Sequence, residues 1–281
     1  MIRLCAFSDE ADRSLDGQIA ALKRNGIALT ELRSIGGTNI LRVTPEEAKE
    51  ARKQLDDAGI GVWSLGSPYG KTSLSEGFDE TALMKDLRHL CRLAEIFGCG
   101  RLRIFSFYDA YDKKDLVLEL LSRSVAVAAE YGIGLYHENE KAIYGDVPDR
   151  VLELTAVEGL HFVYDPANYI QSGVPSAESL AKTLSLAAYC HIKDIIAATG
   201  EIVPAGEGDG DIRGLIGRIG GDTVLTVEPH LSVFRGLSDI DRLGLKTKYH
   251  FTDNNESFDA AVTALKGLLS EAGCRFETEA M

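Results

Sequence analysis

The sequence predicts a single (β/α)8 barrel that spans residues 1–281. Eight short apolar runs, rich in β-branched and aromatic residues, alternate with segments of helical periodicity along the chain. Eight such units within about 250 residues match the usual size of this barrel. An open doubly wound sheet is the alternative, but it would normally begin with a glycine-rich loop after its first strand. The segment SDEADRS (8–14) is no such loop, so the barrel is favoured.

The individual elements follow from these periodicities and from local end signals. Glycine lies just past several helices, as at Gly26, Gly59 and Gly132, where it suits a helix C-cap. Thr44 and Glu47 have the spacing of a capping box. The predicted strands are 4–9, 29–34, 61–66, 101–106, 133–138, 161–166, 189–194 and 223–228. The predicted helices are 14–26, 44–59, 80–98, 115–132, 149–159, 177–188 and 257–273, with a weaker one at 212–219.

Composition and charge exclude several classes of protein. Of the 281 residues, 45% are hydrophobic and 26% charged, a balance that excludes a disordered or fibrous protein. The 30 Lys and Arg against 43 Asp and Glu give a net charge of −13, which opposes binding to nucleic acid or an anionic membrane. No stretch approaches about 18 apolar residues, so no membrane span is expected. Five scattered cysteines without a CxxC pair, and an apolar N-terminal run that ends at Asp9, predict a cytoplasmic protein with reduced thiols.

The last four predicted strands end in side chains that can bind a metal ion. These are Glu138, Asp165, His191 and Glu228, one for each strand. Because the C-terminal ends of barrel strands meet around one mouth, the four side chains are expected to converge there. Three carboxylates and one imidazole suit a divalent cation. Mn²⁺ is the first expectation, with Mg²⁺, Co²⁺ or Zn²⁺ as alternatives.

At these residues the sequence resembles the xylose isomerase-like TIM-barrel superfamily of sugar isomerases and epimerases. The motifs that carry the resemblance are LYHENE (135–140), YDPANYIQSG (164–173), CHIKD (190–194), PAGEGDGDI (204–212) and LTVEPH (225–230). The resemblance extends over essentially the whole chain and implies that the four strand-end residues are metal ligands. It also implies that Glu138 and Glu228 form the catalytic acid/base pair on opposite faces of the substrate.

The chemistry of such a site leaves several reactions open. A divalent ion chelated by a carbonyl and its neighbouring hydroxyl acidifies the C–H bond between them, so that a carboxylate can remove the proton and give an enediolate. Return of a proton to the opposite face is epimerisation, and return to the adjacent carbon is isomerisation. The leading prediction is therefore a sugar or polyol isomerase or epimerase. The alternatives are a dehydratase of a keto-polyol such as an inosose, and a non-catalytic, metal-containing sugar-binding barrel.

Further polar residues near the strand ends are candidate substrate contacts. Lys193 lies two residues after His191 and should point into the mouth, as a second base, a substrate ligand or an ion-pair partner of a ligand carboxylate. Glu31 and Arg33 alternate at the end of the second strand, so we expect either an inward ion pair or a clamp for a polyol or a carboxylate. Asn168 stands where many ketose epimerases of the superfamily carry a histidine. The remaining candidates are Ser67, Lys71 and Ser106.

Two loops complete the predictions. PAGEGDGDI (204–212) follows the seventh strand, where barrels often bind phosphate. Its carboxylates would repel a dianion, so an unphosphorylated polyol, sugar or sugar acid is expected as the substrate. The long segment 231–256 predicts either a lid over the mouth or a homo-oligomer contact built from Phe234, Leu243 and Tyr249.

Overall fold

Eight parallel strands close into a barrel in chain order, with the first strand hydrogen-bonded to the last. The computed structural model describes residues 1–234, 246 and 248–277. The strands are β1 (Arg3–Ala6), β2 (Leu29–Leu32), β3 (Gly61–Gly66), β4 (Arg101–Ile104), β5 (Gly134–Glu138), β6 (Leu160–Tyr164), β7 (Ala187–Ile192) and β8 (Val224–Val227). Each predicted strand overlaps an observed one. The (β/α)8 barrel is therefore confirmed.

Helices surround the barrel, and their ends show the capping that the sequence predicts. Thr44 Oγ1 accepts the Glu47 N–H at 3.2 Å, while Glu47 Oε2 accepts the Thr44 N–H at 2.8 Å. Gly59 ends the same helix in the left-handed conformation, with φ of 74°. The described helices are α1 (Leu15–Arg24), α2 (Pro45–Ala58), α3 (Glu80–Phe97), α4 (Lys114–Ala129), α5 (Pro148–Leu154), α6 (Pro166–Gln171), α7 (Ser176–Thr183), α8 (Ile212–Arg218) and α9 (Asn254–Glu271).

The sequence prediction missed helix α6, which begins directly after β6. Pro166 occupies its first turn, and the Asp165 carboxylate caps it by accepting the Asn168 N–H at 3.0 Å. Six residues are too few to show a helical period. Two short antiparallel hairpins were also not predicted, at Ser34–Ile35 with Thr38–Asn39 after β2, and at Asp194–Ile196 with Glu201–Val203 after β7.

Side chains from the strands fill the interior of the barrel. Cys5, Val163, Tyr189 and Val224 form a small apolar cluster there, separate from the larger core between strands and helices. Because alternate residues of a strand face the same side, the residue two positions after Tyr189, which is His191, also faces the interior and lies nearer the mouth. The apolar cluster inside the barrel thus lies beneath the polar side chains at its mouth.

Two further findings bear on the sequence predictions. Within the described residues, no helix combines the length and apolarity that crossing a membrane requires. All five cysteines are free thiols, and four of them are buried.

Leu243 of the predicted lid or dimer segment lies outside the described residues. Tyr249 is described, and its hydroxyl donates a hydrogen bond to Glu207.

Candidate metal centre at the barrel mouth

The ends of β5 to β8 bring together Glu138, Asp165, His191 and Glu228, which we call the quartet. One ligand atom from each residue lies within 4.8 Å of those of the other three. Glu138 ends β5, Asp165 and Glu228 directly follow β6 and β8, and His191 is the fifth residue of β7. None of the four is more than 4% exposed. The convergence is a direct consequence of parallel strands that end around one opening.

Two atoms of the quartet lack a hydrogen-bond partner although they are buried. Asp165 Oδ2 lies 3.1 Å from Lys193 Nζ, and His191 Nδ1 lies 3.1 Å from Glu138 Oε1, but neither contact has hydrogen-bond geometry. Unsatisfied buried polar atoms in a folded protein indicate a missing partner, such as an ion. Carboxylate oxygens and an imidazole nitrogen are ligands of Mg²⁺, Mn²⁺ and Zn²⁺. The residues present therefore fit a divalent metal ion.

Glu31 on β2 contacts the ring nitrogen of His191 that does not face the quartet carboxylates. His191 Nε2 lies 3.0 Å from Glu31 Oε2, and the other carboxylate oxygen accepts the Tyr189 hydroxyl at 2.9 Å. Burial alone would lower the pKa of His191, but Glu138 and Glu31 raise it well above its usual value. A carboxylate on one ring nitrogen leaves the other free for a metal, as is common for metal-bound histidines.

Lys193 fills the space between two quartet carboxylates. Its Nζ lies 3.1 Å from Asp165 Oδ2 and 3.2 Å from Glu228 Oε2. Burial lowers the pKa of Lys193, but these two carboxylates raise it well above its usual value, so the side chain is an ammonium. Burial raises the pKa of Asp165 to about 7, and Lys193 opposes this rise. For Glu228 burial is outweighed by Lys193 and other cationic neighbours, which hold its pKa well below the usual range.

Arg33 organises a second set of carboxylates beside the quartet. Its Nε and Nη2 each lie 3.0 Å from an oxygen of Asp9, Nη2 also lies 3.0 Å from Glu10 Oε1, and Nη1 lies 3.2 Å from Glu228 Oε1. Its guanidinium lies 4.4 Å from the centre of the Phe7 ring. Of the two alternatives for Glu31 and Arg33, the ion pair is therefore wrong, because the two side chains contact different partners.

His230 completes this second set, which with Asp9, Glu10 and Arg33 we call the Arg33 cluster. Its backbone has φ of 46°, and its N–H donates to Glu10 Oε2 at 2.6 Å. Its Nε2 lies 3.7 Å from both Glu10 Oε1 and Glu228 Oε1, without a hydrogen-bond partner. These three residues could also hold a cation. The Arg33 guanidinium already contacts both carboxylates and supplies the positive charge.

The remaining candidate substrate contacts have different partners in the structure. Asn168 Nδ2 donates to Glu138 Oε1 at 3.1 Å, which joins this residue to the quartet. Lys71 Nζ lies 2.9 Å from Glu140 Oε2. The hydroxyls of Ser67 and Ser106 are fully buried and engaged by the protein. Ser67 donates to the Arg103 carbonyl at 2.6 Å, whereas the Ser106 hydroxyl contacts His137 and accepts the Gly145 N–H.

Sequence reasoning missed Arg103 and the two acids of the Arg33 cluster. Arg103 Nη1 lies 3.2 Å from Glu138 Oε2, so a buried cation holds that carboxylate. A usable signal was present in each case. Asp9 and Glu10 follow the first strand as the quartet residues follow later ones, and Arg103 alternates with apolar residues at the end of β4. Applying the strand-end rule to all eight strands would have found them.

The fold and this site together define a closed (β/α)8 barrel with an acid- and imidazole-rich mouth. The model of the family described as xylose isomerase-like TIM barrel matches residues 19–239, and the chain belongs to that family. The resemblance inferred from the motifs is thus confirmed. No curated protein sequence matches this chain.

Solved structures with the same fold include proteins of different activity. L-ribulose 3-epimerase is 18% identical, with a TM-score of 0.71 and 97% of each chain covered. The probable 3-DHS dehydratase AsbF from Bacillus anthracis is 16% identical, with a TM-score of 0.70 over 95% of this chain and 99% of that one. The IOLI protein with a bound zinc atom is 14% identical, with a TM-score of 0.72 over 96% and 98%. At these identities the likeness shows the fold alone.

Proposed function

We propose that the protein is a divalent-metal-dependent isomerase or epimerase of a sugar or polyol, with Glu138 and Glu228 as its acid/base pair. The observation that carries this proposal is the approach of two separately held carboxylates to one centre. Glu138 Oε1 and Glu228 Oε2 lie 3.1 and 3.7 Å from His191 Nδ1. They reach it from strand ends separated by β6 and β7. A substrate carbon between them would meet a carboxylate on each side.

The quartet would hold the metal ion, with Mn²⁺ as the proposed choice and Mg²⁺, Co²⁺ or Zn²⁺ as alternatives. When bound, such an ion polarises a substrate carbonyl and its neighbouring hydroxyl. Solved relatives support a metal, since the IOLI structure contains zinc. Lys193 and other cationic neighbours outweigh burial and hold the pKa of Glu228 well below its usual range, so it is ionised, which is the form that a general base requires. Glu138, held by Arg103 and Asn168, would return a proton from the other side.

The substrate contacts follow from the side chains that surround the quartet. Lys193 would bind a substrate oxygen and stabilise negative charge there, since its ammonium lies 3.2 Å from Glu228 Oε2. Asn168 and Lys71 would bind hydroxyl groups, and Arg33 would hold Glu228 in place. Glu31, Ser67 and Ser106 would act through other residues, since their polar atoms contact protein groups.

A metal-dependent dehydratase of a keto-polyol is the second candidate. The position of Lys193 favours it, because an ammonium beside the proposed base could donate a hydrogen bond to a departing hydroxyl and stabilise its negative charge. The probable 3-DHS dehydratase AsbF has the same fold, which supports this second candidate. Both candidates begin with the same proton removal, and they differ in whether water is lost.

The test is proton exchange in deuterated water. The Mn²⁺-loaded protein is incubated with a panel of ketoses, inososes and sugar acids in D₂O, and the products are analysed by NMR after metal removal. We expect deuterium at a carbon next to a carbonyl, at a rate that falls about 10²–10⁴-fold in Glu228→Gln. Glu158→Gln, an exposed change of the same kind, should exchange normally. Loss of water would favour the dehydratase, and no exchange with metal bound would contradict both candidates.

A further inference from the structure

The loop after β7 is folded around the carboxylate of Asp194. Asp194 Oδ1 accepts the N–H groups of Ile195 and Gly210 at 2.9 Å each. Its Oδ2 accepts those of Gly206 at 2.8 Å and Gly208 at 3.0 Å. The side chain is only 1% exposed. Four backbone donors thus converge on one anion that belongs to the chain itself.

The glycines of this loop are required by the closeness of that carboxylate. A Cβ built on Gly208 would lie 2.4 Å from Asp194 Oδ1 and 2.6 Å from the Ile195 carbonyl oxygen. A Cβ on Gly210 would lie 2.8 Å from the same carboxylate oxygen and 3.4 Å from Pro166 Cβ. Alternating glycines that aim their N–H groups at one point form an anion-binding nest. In this protein the Asp194 carboxylate already occupies the nest.

The other acids of the loop have separate partners. Asp211 accepts the Gly214 N–H at 3.0 Å and caps α8, and Asp209 accepts the Ala197 N–H at 2.7 Å. The sequence prediction of an unphosphorylated substrate relied on repulsion by such acids. The structure supplies a different reason, because the donors that could bind a phosphate are already occupied.

We propose that Asp194 is a built-in anion that fills the phosphate-type nest at the end of β7 and thereby restricts the site to unphosphorylated substrates. In many barrels the loops after the seventh and eighth strands bind a substrate phosphate through backbone N–H groups. Here Asp194 directly follows Lys193, and Gly210 of the nest lies against Pro166, the residue after Asp165 of the quartet. The statement about substrates rests on the proposed function, whereas the self-filled nest does not.

The test removes the Asp194 carboxylate and measures whether an anion added to the solution binds in its place. Asp194→Gly removes the equivalent of one acetate and leaves the four donors without an acceptor. In full-length protein freed of metal, we expect a lower melting temperature than in the wild type. Inorganic phosphate or acetate should raise it saturably by about 2–4 °C, compared with chloride at equal ionic strength. The wild type should show no saturable rise.

Asp209→Gly is the matched control, since it removes an exposed carboxylate of the same loop that accepts one N–H. It should show no specific response to phosphate or acetate. A folded Asp194→Gly protein that ignores both anions overturns the proposal. If that variant does not fold, calorimetry of the wild type with inorganic phosphate decides, because saturable binding there overturns the proposal and its absence is the expected result. None of these readouts needs turnover, so a failed deuterium-exchange test leaves them intact.

Discussion

The quartet and the Arg33 cluster share Glu228 but balance their negative charge in different ways. In the Arg33 cluster a planar guanidinium makes four contacts of 3.0–3.2 Å with Asp9, Glu10 and Glu228. In the quartet the ammonium of Lys193 makes two contacts of 3.1 and 3.2 Å with Asp165 and Glu228, and Arg103 makes one of 3.2 Å with Glu138. In the Arg33 cluster every carboxylate contacts the guanidinium and only His230 Nε2 lacks a hydrogen bond, whereas in the quartet one oxygen of Asp165 and Nδ1 of His191 lack one.

This difference indicates where a metal ion would be accepted. The guanidinium of Arg33 lies between the rings of Phe7 and Phe234, at 4.4 and 4.8 Å from their centres, and cannot lose its charge. Lys193 is a flexible point charge, and buried atoms of Asp165 and His191 remain without hydrogen bonds. A divalent ion can therefore replace the ammonium in the quartet, but not the guanidinium in the Arg33 cluster.

The largest expected effect is the loss of Arg33. In Arg33→Met, three buried carboxylates lose their shared cation, and breaking a buried pair in this way costs about 3–5 kcal/mol. We expect urea denaturation to show a loss of free energy of unfolding of that size. The difference from the wild type should persist when each protein carries one Mn²⁺ in the quartet, because an ion there stabilises both proteins and leaves Asp9 and Glu10 unpaired in the variant.

Arg24 provides a matched control for that variant. It makes the same two-pronged contact with Asp259, at 2.9 Å for each bond, but the two side chains are 43% and 38% exposed. Arg24→Met should lose less than about 1 kcal/mol. Equal losses in the two arginine variants would show that burial of the Arg33 cluster does not matter, and would remove the basis of the comparison.

The next effect concerns competition between Lys193 and a metal ion. In Lys193→Met no ammonium has to leave the quartet, so Mn²⁺ should bind about tenfold more tightly, a gain of about 1.4 kcal/mol. Isothermal titration calorimetry measures this change. Lys71→Met is the control, since Lys71 is also buried and ion-paired, with Glu140 rather than with the quartet. Weaker binding in Lys193→Met would show instead that the lysine supports the metal ligands.

The fold could be predicted from the sequence because its signals are local. Apolar runs, helix caps such as Thr44 and glycines such as Gly59 lie within the elements that they define. The quartet was predictable for the same reason, since each ligand stands at the end of its own strand. Lys193 followed from the alternation of side chains along a strand.

The partners of these residues could not be predicted, because barrel closure brings them together. Arg33 and Glu228 are 195 positions apart in the chain, and Glu31 and His191 are 160 apart. Alternation placed Glu31 and Arg33 inside the barrel, but it could not show that they contact different clusters. Which carboxylate each cation meets depends on side-chain reach across the mouth, for which a single sequence has no pattern.

The smallest expected effect is a pH dependence of Mn²⁺ binding that originates in the quartet. Glu138 and Glu31 outweigh burial and raise the pKa of His191 well above its usual value, so the metal-free protein holds a proton there at neutral pH. A metal ion needs the neutral imidazole, so its binding must release this proton. Asp165, with a pKa raised by burial to about 7, releases a further fraction near that pH. The affinity for Mn²⁺ should therefore rise with pH through the neutral range and level off above the pKa of His191.

Calorimetry in buffers of different ionisation enthalpy measures the proton release directly. We expect about one to two protons per Mn²⁺ at pH 7. Glu31→Gln removes one of the carboxylates that hold the proton on His191, so it should reduce the release. Burial raises the pKa of Glu10 to about 8 and Arg33 opposes this rise, so Arg33→Lys, which keeps a cation beside Glu10, should leave the release nearly unchanged. A large change in Arg33→Lys would mean that the two clusters titrate as one, and the division of the mouth into a closed half and a metal-accepting half would fail.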